Sequence, residues 1–80
     1  MLASELRANF GQRLYFLRRL RDLTQEELAE AIGRSTTFVR AMERGREGPS
    51  FNTLAKLAEV LNVEVIELFR FDKTLPSEQQ

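Results

Sequence analysis

The chain has 80 residues, 42% of them hydrophobic, and its twelve basic and twelve acidic side chains sum to a formal net charge of zero. It contains no cysteine and no histidine, which removes disulfides, thiolate metal sites and nucleophiles, the commonest general base and the commonest metal ligand. What remains is one small domain, near the lower size limit for a self-sufficient core, whose carboxylates are spread along helical surfaces, so an enzyme is not expected.

Taken in chain order, Ser4 is placed to cap a first helix with Leu6, Phe10, Leu14, Leu17 and Leu20 on one side, each three or four residues from the last. Gly11 interrupts that helix at a cost of about 1 kcal/mol relative to Ala, and leaves room for a close neighbour. Thr24-Gln25-Glu26-Glu27 fits a capping box, in which the Thr hydroxyl accepts from the Glu27 N–H while the Glu27 carboxylate reaches back to the Thr24 N–H. Leu28, Ala29 and Ile32 form the inner face of this second helix. Gly33 follows where a helix ends most easily at positive φ. Ser35 then caps a third helix with Val39 and Met42 inward. Thr36, Thr37, Arg40 and Arg44 are left outward, so the third helix is prominent, packed steeply on the second across Gly33-Arg34-Ser35.

A polar loop, Arg44 to Pro49, leads to Ser50, the cap of a fourth helix with Leu54, Leu57, Ala58 and Leu61 inward, ending at Asn62. A short fifth helix is predicted over about 64–69. Its apolar residues Val65, Ile66, Leu68, Phe69 and Phe71 are too many for one short helix to bury. With Val65, Ile66 and Phe69 turned into the core, Leu68 and Phe71 are left for a partner. Residues 72–80 are predicted as a flexible tail and 1–71 as the domain, with its helix-turn-helix core at 24–45 and a dimerising fifth helix at about 64–71.

Charge is unevenly shared. Residues 1–46 carry nine Arg against six acids, and residues 47–80 three bases against six acids. Arg suits phosphate and guanine because its fork binds bidentately, although a solvated helical surface is the better account of any single one. Met1 to Phe10 carries Glu5 and Arg7 where a signal peptide needs an apolar run, and there is no run long enough to span a membrane. A cytoplasmic protein is expected.

These residues resemble the helix-turn-helix domain of phage Cro and repressor proteins, the XRE-type regulators. The likeness is carried by FGQRL at 10–14, LTQEELAEAIG at 23–33, the spaced Val39, Met42, Glu43, Arg44 and Gly45, and PSFNTLAKLAEVLNVEVIELF at 49–69. The short form with an apolar fifth helix is also similar to restriction–modification controller proteins. The resemblance implies an all-α, five-helix repressor-type domain that binds an operator in double-stranded DNA as a homodimer. Its third helix enters the major groove while the second crosses the backbone. It further implies base contacts from Thr36 and Thr37, with Arg40 on guanine or an adjacent phosphate and Phe38 either on a thymine or packed on the following loop. Phosphate contacts fall to Gln25, Arg44, Arg46 and Asn52. An Arg18–Glu43 ion pair is implied between the first and third helices, and a dimer interface at Val65, Leu68 and Phe71. Neither cofactor, metal, membrane nor small-molecule ligand is expected. An antitoxin that represses its own operon and binds a toxin, and a protein-interaction module without DNA, are the alternatives. Two positions depart from the family pattern: Arg34, often apolar, and Phe38, often small and polar.

Overall fold

The computed structural model describes residues 1–76. Four α-helices, α1 (Ala3–Leu20), α2 (Gln25–Ile32), α3 (Thr36–Glu43) and α4 (Phe51–Leu61), are followed by a 3-10 turn, Val65–Phe69. The predicted fifth helix is therefore this single tight turn. α1 packs on α3 and on the 3-10 turn, and α2 packs on both α3 and α4. Among the described residues no helix is long and apolar enough to cross a membrane.

α1 begins one residue before the predicted cap. Leu2 holds the cap position without a side-chain acceptor, and its own N–H is donated to Glu5 Oε1 at 2.8 Å. Phe10, Leu14 and Leu17 are buried, whereas Leu6 and Leu20, near the ends of the helix, are exposed. Gly11 is where α1 meets the last turn of α3. A Cβ there would stand 2.7 Å from the Glu43 carbonyl oxygen and closer still to that of Met42.

The second and third helices follow the expected local chemistry. Thr24 Oγ1 accepts from Glu27 N–H at 3.0 Å, and Thr24 N–H donates to Glu27 Oε1 at 2.8 Å. Gly33 ends α2 in the left-handed region at φ 71°, and Ser35 Oγ accepts from Phe38 N–H at 3.1 Å. Leu28, Ala29, Ile32, Val39 and Met42 join Leu57, Ala58 and Leu61 in one core. Ser50 caps α4 by accepting from Thr53 N–H, and Asn62 ends it with φ 55°.

The C-terminal part departs from expectation in two ways. Leu68 is fully buried, while Val65, Ile66 and Phe71 are exposed; the interface role read for Leu68, and the core role read for Val65 and Ile66, are reversed, whereas Phe69, 37% exposed, keeps its ring against core Phe10 at 5.5 Å. The cause is Arg13. Its Nε donates to the Glu67 carbonyl at 2.7 Å and its Nη2 pairs with Glu67 Oε1 at 3.2 Å, both residues being buried. This turns the Glu67–Leu68 edge of the 3-10 turn inward. Arg13 Nη1 also donates to the carbonyls of Asp72 and Thr74, at 3.2 and 2.7 Å. The predicted tail is thus held at its start, and the rest of that prediction, residues 77–80, lies outside the described residues. Thr74 N–H and hydroxyl hydrogen bonds hold the Asp72 carboxyl below its ordinary pKa.

Candidate nucleic-acid interface

Two helix starts and one loop build the candidate face. The Ser35 cap directs the first turn of α3 outward with Thr36 half-buried and Thr37 exposed, while Val39 and Met42 anchor the opposite side. After Glu43 the chain doubles back, with Arg46 N–H donating to the Ala41 carbonyl at 2.9 Å. That bond sets Arg46 alongside α3. Thr37, Arg40, Ala41, Arg44 and Arg46 consequently line one shallow depression of about 210 Å³. No carboxylate pairs with these three Arg among the described residues. An acceptor-rich anion fits this depression better than any apolar ligand. Ala41 was not singled out from sequence; a small side chain between Thr37 and Arg44 on the helix surface is the signal for it.

The other predicted residues divide. Asn52 is exposed in the first turn of α4. Gln25 is half-buried and donates from Nε2 to Glu43 Oε1 at 3.0 Å, so its amide is oriented by the end of α3. Phe38 packs partly against the core, and the Arg34 guanidinium lies over its ring.

Beneath the face, Arg18 Nε donates to Glu43 Oε2 at 2.6 Å and Arg18 Nη2 to Oε1 at 3.1 Å. The two side chains are 6% and 5% exposed. Arg18 Nη1 closes the set on the Leu23 carbonyl at 2.7 Å. The hydrogen bond to Glu43 raises the Arg18 pKa above its ordinary value. Burial lowers that of Arg13. Both stay cationic. Arg13, missed from sequence, was signalled by its place three residues after Phe10 and four before Leu17, on the apolar side of α1.

Two short helices joined across a glycine in the left-handed conformation, the second lying outward over the first, form a helix-turn-helix. Residues 14–68 match the helix-turn-helix family model. The chain is 39% identical over 64 residues to an uncharacterized HTH-type transcriptional regulator, y4dJ, of Sinorhizobium fredii, covering 80% of this chain and 83% of that protein. It is 37% identical over 70 residues to the immunity repressor protein of Bacillus phage phi105, covering 88% of this chain but only 48% of that repressor, about half its length. In three dimensions it superposes on the restriction-modification controller protein C.AhdI from Aeromonas hydrophila with a TM-score of 0.76 and 41% identity, covering 79% of this chain and 96% of that one. The chain belongs to the XRE-type helix-turn-helix family of DNA-binding transcriptional regulators.

Proposed function

We propose that the protein recognises a specific sequence in double-stranded DNA, binding a palindromic operator as a homodimer with α3 in the major groove. The observation that carries this reading is the cationic depression along α3, unpaired among the described residues, where Thr37 and Arg40 stand beside Arg44 and Arg46. Thr36, Thr37 and Arg40 read base edges, through hydroxyls, a methyl on thymine or a guanidinium on guanine. Gln25, Arg44, Arg46 and Asn52 hold phosphates and set the register.

The second copy is supported by the apolar surface around the 3-10 turn. Val65, Ile66, Phe69 and Phe71 are exposed together, Ile66 by 65%. Phe69 stacks on Phe10 at 5.5 Å and meets Phe71 edge-on at 6.2 Å. A self-complementary patch of this kind suits a two-fold contact. Such a dimer can set two recognition helices about 34 Å apart, one turn of duplex.

Selecting bound duplexes from a random pool, then titrating the winner against a scrambled duplex by fluorescence anisotropy, tests the proposal. A recovered inverted repeat bound about 1000-fold or more tighter than the scramble is the expected outcome. Equal affinity for both removes sequence recognition, and no salt-dependent binding to either removes DNA altogether.

A further inference from the structure

Arg34 stands in the turn between α2 and α3, where the family pattern often has an apolar residue. Its side chain is exposed but not free. The guanidinium carbon lies 3.7 Å from the centre of the Phe38 ring. Nη1 donates to Thr53 Oγ1 at 3.4 Å. Thr53 is itself buried, and its Oγ1 also accepts from the Ser50 hydroxyl at 3.2 Å. Among the described residues no carboxylate pairs with Arg34. The cation is therefore positioned twice, by a ring on α3 and a hydroxyl on α4, and neutralised by neither.

With its carbon 3.7 Å from the ring centre, the guanidinium sits over the aromatic face, and its N–H donors lie in its own plane. With one of them on Thr53, most remain for an incoming acceptor. The group lies between the first turns of α3 and α4, beside the reading face but outside the depression formed by Thr37, Arg40, Ala41, Arg44 and Arg46. At that flank of a groove-bound helix the acceptor is backbone phosphate rather than a base edge.

We propose that Arg34 is a pre-organised phosphate contact and that Phe38 is its platform, acting through Arg34 and not as a reader of bases. The proposal rests on the DNA-binding reading above. It differs from an ordinary surface Arg contact because much of the ordering of the long side chain precedes binding.

The test titrates the selected operator and a scrambled duplex of equal length across a series of salt concentrations, for the parent, Arg34→Ala, Arg34→Lys, Phe38→Leu, the double variant Arg34→Ala/Phe38→Leu, and Arg46→Ala. Arg34→Ala should weaken both duplexes by one common factor, roughly tenfold or more for a charge-assisted contact. Its salt slope should become shallower by about one unit. Arg34→Lys keeps the charge without the planar stack, and should keep the parent slope while losing part of the affinity. Phe38→Leu should weaken both duplexes to a lesser degree with operator preference unchanged, and the double variant should be no weaker than Arg34→Ala. If Arg34→Ala leaves affinity and slope at parent values while Arg46→Ala lowers both, the phosphate role falls and the DNA-binding reading stands. If Phe38→Leu alters the preference among operators, the ring is a base reader and the platform role falls. A parent that binds neither duplex in a salt-dependent way overturns the DNA-binding reading itself.

Discussion

Neutralising Glu43 probes the joint between α1 and the recognition helix. Its two oxygens take three donors: Arg18 Nε at 2.6 Å, Arg18 Nη2 at 3.1 Å and Gln25 Nε2 at 3.0 Å. Glu43→Gln preserves shape but replaces one acceptor oxygen with a donor that must face Arg18 or Gln25. The Arg18 guanidinium, buried and otherwise touching the Leu23 carbonyl and the face of the Tyr15 ring, then loses its paired carboxylate. Breaking one side of a buried pair costs about 3–5 kcal/mol, a large part of the roughly 5–15 kcal/mol that holds a domain folded. At about 4–8 °C per kcal/mol for a chain of this size, even the lower figure moves the midpoint by about 12 °C or more. Thermal unfolding followed by far-ultraviolet circular dichroism reads this directly. Replacing both partners, as in Arg18→Met/Glu43→Leu, should recover much of the loss, since an apolar pair of similar volume is often neutral. A midpoint for Glu43→Gln within a degree or two of the parent would refute the reasoning and mark the pair as effectively solvated.

Gly11→Ala gains about 1 kcal/mol of helix propensity, yet its Cβ meets the Met42 and Glu43 carbonyls, so a net loss of about 1–3 kcal/mol should appear in urea unfolding. Arg13→Ala leaves buried Glu67 with the half-exposed Arg70, 3.6 Å away, as its remaining cation, and should cost about 3 kcal/mol together with loss of amide-exchange protection over the 3-10 turn. Thr37→Ala and Arg40→Ala should each shift operator preference by about 1–3 kcal/mol, whereas Arg46→Ala should weaken all duplexes alike in anisotropy titrations. Ile66→Glu/Phe71→Glu should sediment as a folded monomer with weakened operator affinity, against a dimeric parent at micromolar concentration.

The helix-turn-helix was readable because its signals are local and mutually consistent. Thr24, Glu27, Gly33 and Ser35 each act within one turn of themselves, so short-range chemistry alone places the two helices. The face of the 3-10 turn was not readable. Five apolar residues within seven positions have no clear period, and at three residues per turn the inward side is not the one counted for an α-helix. What selects Leu68 is a guanidinium 54 residues earlier in sequence from Glu67, a contact no local pattern reports. Ser4 failed as a cap because the helix starts one residue before it, with the Leu2 N–H held by Glu5. Among the expected reading residues, the outward set on α3 followed from burying Val39 and Met42. The Gln25 bond to Glu43 and the Arg34 stack needed the third dimension.

The reach of Arg13 across the molecule ties the C-terminal segment to α1, and Leu68 in the core and Phe69 on the Phe10 ring close it further. Were the segment to open locally, the exposed aromatic surface of Phe69 and Phe71 would be lost with it. Any partner of that surface therefore binds with an apparent constant divided by the closed fraction, and a segment closed one-tenth of the time weakens association about tenfold. In the proposed dimer, substitutions at buried Arg13 or Glu67 would then tune the concentration at which two copies associate, leaving the recognition helix as it is.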